Sequence, residues 1–118
     1  MDIETFRNYC LSKKGVTEDL PFGPDNLVFK IMGKMIALAS LDEVPLRVNL
    51  KCDPERALSL REEYPENILP GYHMNKMHWN TLVLDGLPKA IIFGLVDHSY
   101  KLVVLGLPKK IQQELKAL

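Results

Sequence analysis

The clearest pattern of hydrophobic and polar positions is the strict alternation in "LRVNLKC", residues 46–52. Its apolar residues are Leu46, Val48, Leu50 and Cys52, and the residues between them are Arg47, Asn49 and Lys51. Successive side chains of a strand point to opposite faces of a sheet, so the pattern predicts a strand with one buried and one solvated face. We expect helices to cover the apolar face and the polar residues to point away.

Apolar residues at helical spacing predict helices in several parts of the chain. Asp2 is a suitable N-cap for a first helix, and Asp53 followed by a proline begins a second one. The apolar stretch 88–107 follows a period near 3.6, so we predict a helix there despite its β-branched residues. A short terminal helix restarts after Pro108.

Further strands are predicted on both sides of residues 46–52. Residues 16–20 form a short strand, and residues 27–41 form a hairpin that turns at Gly33-Lys34. Residues 77–85 alternate well enough for another strand. The segment before it, 66–76, predicts a loop with a Pro-Gly turn.

The predicted order is a helix, about four antiparallel strands, a helix, a strand and further helices. Helices grouped on one face of an antiparallel sheet define a two-layer α+β architecture. The 118 residues form a single domain, 1–118, long enough to bury a core. The other face of the sheet stays available for contacts. On it we place Lys30, Arg47, Asn49 and Lys51, with Lys34 and Lys76 at its edges.

Composition narrows the classes of function. Fifteen basic and fifteen acidic residues cancel, so nucleic-acid binding requires a local basic patch. No apolar run is long enough to span a membrane, and the first residues do not have the pattern of a signal peptide. Cys10 and Cys52 are far apart and lie in apolar-patterned segments, which is typical of reduced thiols. We therefore expect a cytoplasmic protein.

The segment "PGYHMNKMHWNTL", residues 70–82, concentrates unusual side chains. His73 and His78 are five residues apart, so neither a helix nor a strand would bring them together on a metal ion. We predict no metal site here. Trp79 and its loop have two open interpretations, a packed corner of the core or a contact with a ligand.

The chain resembles the MmcQ/YjbR family of small bacterial proteins. The resemblance rests on "DLPFG", "VFKIMGKM", "VNLKCDPE", "PGYHMNKMHWNT" and "SYKLV", which occur in the order of the family and span nearly the whole chain. It implies a fold like that of the bacterial frataxin homologue CyaY. It also implies DNA binding by a "double wing", a label that rests on the shape of the family's structures. The acidic ridge with which frataxins bind iron is missing, since the first helix offers only Asp2 and Glu4.

Two hypotheses of function follow, both without catalysis or a cofactor. The first is a monomeric protein that binds duplex DNA through its basic sheet face and the loop 72–79. Its candidate contact residues are Lys30, Lys34, Arg47, Asn49, Lys51, His73, Lys76, His78 and Trp79. The alternative is a small-molecule or protein-interaction module, associated with resistance or stress, that uses a pocket between the same loop and the sheet. The sequence contains no nucleophile elbow, phosphate-binding glycine loop or exposed reactive cysteine.

Overall fold

The computed structural model describes all 118 residues. Four helices and six strands follow one another as α1 (Ile3–Leu11), β1 (Val16–Asp19), β2 (Asn26–Ile31), β3 (Lys34–Ser40), β4 (Arg47–Lys51), α2 (Pro54–Glu63), β5 (Ile68–Pro70), β6 (Trp79–Val83), α3 (Lys89–Leu105) and α4 (Lys109–Lys116). The strands form one sheet in the order β1-β2-β3-β4-β6-β5, and every pair is antiparallel. The protein is therefore an α+β protein, as the sequence predicts.

Two helices begin where the sequence places their caps. Asp2 Oδ1 accepts a hydrogen bond from the Thr5 amide at 2.8 Å, and Asp53 Oδ2 accepts one from the Arg56 amide at 3.2 Å. In each case the carboxylate satisfies a backbone donor that has no partner within the helix. The 17-residue α3 spans the apolar stretch that was predicted as a helix in spite of its β-branched residues.

The alternating segment behaves as predicted. Val48, Leu50 and Cys52 are at most 3% exposed and belong to the main core, where Leu46 packs at its margin. The helix α3 packs across this face of the sheet and is linked to it by the buried Ser99. Its hydroxyl donates to the Ile36 carbonyl at 2.6 Å and accepts from the Lys51 amide at 3.2 Å. Helices thus cover the apolar face of β4.

Two local predictions differ from the structure. The hairpin turn consists of Met32 and Gly33 rather than Gly33 and Lys34, with φ angles of 48° and 82°. Positive φ at both central residues matches the twist of the flanking strands, as in a type I′ turn. In addition, Ile68–Pro70 was predicted as loop but forms the edge strand β5 beside β6. A strand of three residues leaves little alternation to detect, and its proline is tolerated because it lies at the edge.

No helix of this fold is long and apolar enough to cross a membrane. Both cysteines, Cys10 and Cys52, are free and buried.

The start of α2 depends on a neutral histidine. Nε2 of His98, on α3, accepts a hydrogen bond from the Asp53 amide at 3.1 Å. Partial burial, together with the positive charge of Arg56, lowers the pKa of His98 below its ordinary value of 6.5. His98 therefore binds a proton at a higher pH in the unfolded chain than in the folded protein. As a result, the free energy of unfolding falls as the pH drops below 6.5.

We expect the melting temperature to fall more between pH 7.5 and pH 5.5 in the wild type than in His98→Gln. The glutamine carbonyl offers an acceptor to the same amide and does not titrate. Differential scanning calorimetry of both proteins across this range measures the difference. Equal pH dependence in the two proteins would contradict this role for His98.

Candidate functional site

The uncovered face of the sheet carries a cavity of about 710 Å³. Its floor is formed by side chains of the central strands, among them Met35, Leu38 and Thr81. Three aromatic rings stand at its mouth, those of Phe22, Tyr72 and His73, and all three residues are exposed. The charged residues that line it are Asp42, Glu43 and Arg47. The cavity is therefore mostly neutral inside and aromatic at its entrance.

The first half of the loop between β5 and β6 is fastened to the sheet by a buried polar pair. Asn49 and Thr81 lie opposite each other on β4 and β6 and are 7% and 4% exposed. The Thr81 hydroxyl donates to Asn49 Oδ1 and accepts from the Tyr72 amide at 2.9 Å, while Asn49 Nδ2 donates to the Tyr72 carbonyl at 3.2 Å. Both backbone groups of Tyr72 are thus held over the sheet. For this reason Asn49 is buried instead of facing solvent.

The second half of the same loop is fastened from the opposite face of the sheet, by Arg61 of α2. Arg61 Nε donates to Asn80 Oδ1 at 2.7 Å, and its Nη2 donates to the Lys76 and Trp79 carbonyls, the latter at 3.3 Å. Asn80 is 2% exposed and also donates to the Ala57 carbonyl at 3.4 Å. One guanidinium therefore links the helix, a buried side chain of β6 and the end of the loop.

The loop also contains a residue with an unusual backbone conformation. His73 has a φ angle of 59°, in the left-handed region that non-glycine residues adopt at a cost of about 1–3 kcal/mol. Its ring lies 4.0 Å from that of Tyr72, measured between centroids, and both side chains are exposed at the cavity mouth. Strained residues that the surrounding structure holds in place cluster at binding sites, which supports including His73 in the candidate site.

The structure brings together only some of the residues chosen from the sequence. Arg47, Asn49 and His73 line the cavity. Lys30 and Lys51 lie on the same face of the sheet but outside the cavity, with the partly buried Trp79 paired to Lys51 across β4 and β6.

The other three residues lie elsewhere. Lys34 pairs with the core residue Ile31, so its side chain shares the parity of the covered face and not that of Lys30. Lys76 lines a small groove against α2. His78 is exposed outside the cavity, and its carbonyl extends the pairing of β4 by accepting from the Cys52 amide at 2.8 Å. Lys76 lies in its groove because Arg61, a residue distant in sequence, binds its carbonyl and holds the end of the loop. Lys34 is on β3, where the turn at Met32–Gly33 pairs it with Ile31.

Tyr72 and Met74, which line the cavity, belong to the loop 72–79 that the sequence indicates as a contact. Three further lining residues, Phe22, Met35 and Leu38, were not chosen from the sequence. Their apolar character suggested core packing. Leu38 pairs with both Val28 and Asn49, and this pairing places it on the uncovered face. The one signal in the sequence that Leu38 faces the cavity was its alternation along the strand, since it points to the opposite face from Ala37 and Ala39.

No group of three or more histidine, cysteine, aspartate or glutamate side chains lies close enough together to hold a metal ion. His73 stands at the cavity mouth and His78 does not line it.

Gly71, at the start of the loop, has no room for a side chain. A Cβ at this position would lie 2.8 Å from Trp79 Cβ and 2.9 Å from the Trp79 carbonyl oxygen. We expect Gly71→Ala to lower the free energy of unfolding by about 1–2 kcal/mol, because the loop backbone must move. Gly94→Ala is the control: nothing lies within 4 Å of its Cβ position in α3, and alanine there should stabilise by about 0.5–1 kcal/mol. Urea denaturation measures the free energy of unfolding of both variants. If Gly71→Ala is as stable as the wild type, the close contact between Gly71 and Trp79 is refuted.

Comparison with known proteins places the chain among small bacterial proteins. The model of the YjbR family matches residues 11–102. The uncharacterized protein YbdF of Escherichia coli O157:H7 is 41% identical over 115 residues, which cover 96% of this chain and 93% of YbdF. The uncharacterized protein YjbR of Escherichia coli K12 is 34% identical over 111 residues, and the match covers 93% of each chain.

Solved structures agree with this placement. A crystal structure of a Deinococcus radiodurans protein superposes with a TM-score of 0.92 at 39% identity, covering 97% of this chain and 87% of that one. A crystal structure from Pseudomonas syringae has a TM-score of 0.71 at 29% identity, covering 86% of this chain and 98% of the other. The family match and these whole-length relatives agree with the motifs that the sequence analysis identified. The chain belongs to the YjbR family.

Proposed function

We propose that this protein binds a small organic molecule in the cavity on the uncovered face of its sheet and does not transform it. The observation that carries the proposal is the cavity itself, whose volume of about 710 Å³ lies in the range of small-molecule sites. Its composition fits as well, because six hydrophobic residues among the 14 that line it are combined with polar and charged groups that can orient a ligand. The loop over it is held in place before any ligand arrives, which reduces the entropy lost on binding.

The chemistry of the cysteines supports binding without catalysis. Burial raises the pKa of the Cys10 thiol to about 12 and raises that of Cys52 as well, so neither thiol is a ready nucleophile at neutral pH. Neither cysteine lines the cavity. The groups that do line it include no nucleophile placed beside a base by a hydrogen bond.

The five methionines of the chain offer a direct test by methyl NMR. Met35 and Met74 line the cavity, whereas Met1 and Met32 pack against the core and Met77 lines the separate groove at α2. With ¹³C-methyl-methionine protein and a library of small organic fragments, we expect binders to shift the resonances of Met35 and Met74 and to leave the other three unchanged. If no fragment shifts Met35 or Met74 selectively, the proposal fails.

Duplex DNA is the second candidate, and one observation favours it. Lys30, Arg47 and Lys51 share the uncovered face, and none of them is in an ion pair, since the two ion pairs of the protein are Arg7–Glu18 and Lys13–Asp97. Unpaired cations on one face are free to contact phosphates, and Arg47 and Lys51 are separated by about 13 Å along their strand. The patch is small, because Lys34 and Lys76 do not extend it.

A double variant distinguishes DNA binding from small-molecule binding. It carries Lys30→Glu and Lys51→Glu, and both residues lie outside the cavity. DNA binding predicts micromolar affinity for a duplex at about 50 mM salt and a steep salt dependence, with each phosphate contact contributing about 0.9 to the logarithmic slope. The double variant should then lose duplex binding and keep fragment binding. Fluorescence anisotropy at two salt concentrations measures the first, and methyl NMR the second. A wild-type protein that does not bind at low salt excludes DNA as the ligand.

A further inference from the structure

We infer that the cavity is built for a small aromatic zwitterion, a planar ring that carries a carboxylate and an ammonium group close to each other. The inference rests on the proposed small-molecule function and names the chemical class of the ligand. Three features of the cavity carry it: its aromatic walls, its apolar floor, and the separated charges at one end.

The aromatic walls come from connections near opposite edges of the sheet. Phe22 belongs to the connection between β1 and β2, while Tyr72 is held by Asn49 and Thr81 above β4 and β6. The two side chains are 66% and 68% exposed, far more than is usual for aromatic residues of a folded protein. A flat ring between them would cover both, and aromatic pairs prefer such offset or edge-to-face contacts.

The floor suits an aromatic ring better than a polar body. Leu38, Met35 and Met74 all line the cavity, and the first two belong to β3. Methionine side chains adapt to irregular shapes and make favourable contacts between sulfur and aromatic rings.

The charges stand together at one end of the cavity. Arg47 pairs with Ser40 across β3 and β4, and Asp42 and Glu43 follow Ser40 in the connection between these strands. All three charged residues line the cavity, yet Arg47 forms no ion pair within 4 Å with either carboxylate. A cation and two anions are thus available at the same site without neutralising one another.

This arrangement favours a ligand with both signs of charge. A simple anion that reaches Arg47 approaches Asp42 and Glu43, and a simple cation at these carboxylates approaches Arg47, so each meets a like charge. A ligand whose carboxylate contacts Arg47 and whose ammonium group contacts Asp42 and Glu43 pairs each of these charges with an opposite one. Arginine is well suited to the first contact because its planar guanidinium matches a carboxylate with two hydrogen bonds.

Four probes with one ring and different charges test the inference on the wild-type protein. They are free phenylalanine, 3-phenylpropionate, phenethylamine and 3-phenylpropanamide. Titrations followed by the methyl resonances of Met35 and Met74 should give phenylalanine an affinity about tenfold higher than any of the other three. An affinity for 3-phenylpropionate or phenethylamine equal to that for phenylalanine would overturn the zwitterion and leave small-molecule binding intact. If neither these probes nor the fragment library shifts Met35 and Met74, both proposals fall.

Variants that remove one charge show which residue of the cavity contacts which charged group of the ligand. Arg47→Gln should weaken phenylalanine and 3-phenylpropionate and strengthen phenethylamine, because it removes a like charge from the site of the cation. Asp42→Asn with Glu43→Gln should weaken phenylalanine and phenethylamine and strengthen 3-phenylpropionate for the corresponding reason. Lys30→Gln is the control, because Lys30 shares the face but lies outside the cavity, and its titrations should match the wild type. Equal losses for all charged probes in one variant would contradict the assignment of that residue.

Discussion

Replacing Arg61 with methionine should lower the free energy of unfolding by about 2–3 kcal/mol. Methionine keeps most of the apolar stem but removes every donor of the guanidinium. Asn80, at 2% exposure, then loses the partner of its Oδ1, and the Lys76 and Trp79 carbonyls lose theirs. A buried acceptor without a donor carries the full cost of its desolvation, and this is a large share of the stability of a small domain.

Arg56→Met is the matched control, since Arg56 is exposed on the same helix and its side chain makes no hydrogen bond. Its effect should stay within about 0.5 kcal/mol. Guanidinium denaturation gives both values. The only tryptophan of the chain, Trp79, reports on the loop directly, and its emission should move to longer wavelength in Arg61→Met alone. Equal stability of the two variants would show that Arg61 does not hold the loop.

Asn49→Leu should cost about 2 kcal/mol and loosen the first half of the same loop. Leucine has the same branched shape and the same number of non-hydrogen atoms, so the change removes hydrogen bonds and leaves no cavity. The Tyr72 carbonyl loses its donor and the Thr81 hydroxyl loses its acceptor, both next to the cavity. The Tyr72 amide, which donates to Thr81, should then exchange with solvent at least tenfold faster.

The control for Asn49→Leu is Asn26→Leu, the same change in the same cavity at a side chain without hydrogen bonds. Native-state hydrogen exchange and thermal melts compare the two. Any fragment that shifts Met35 and Met74 should bind more weakly to Asn49→Leu, since the Tyr72 wall is no longer fixed. An unchanged exchange rate of the Tyr72 amide in Asn49→Leu would contradict the role of the buried pair.

Local interactions explain which elements were predictable. The caps at Asp2 and Asp53 bond to amides only three residues away, and the alternation in residues 46–52 records a face that the helices cover. Turn details were less accessible, as the shift to Met32–Gly33 illustrates, because two adjacent registers of a hairpin fit nearly the same pattern. The edge strand Ile68–Pro70 depends on β6 for its hydrogen bonds and has almost no pattern of its own.

The sequence by itself determined the α+β class, the covered face of the sheet, most elements and the family, because periodicity, caps and motifs are local properties of the chain. It also placed Arg47, Asn49 and Lys51 on the uncovered face. Only the tertiary structure decided that this face holds a cavity. Asn49 and Thr81 hold the loop from one side of the sheet and Arg61 holds it from the other, through hydrogen bonds between residues 9 to 32 positions apart. Such long-range polar contacts leave no periodic trace, so the site could be recognised only after the chain had folded.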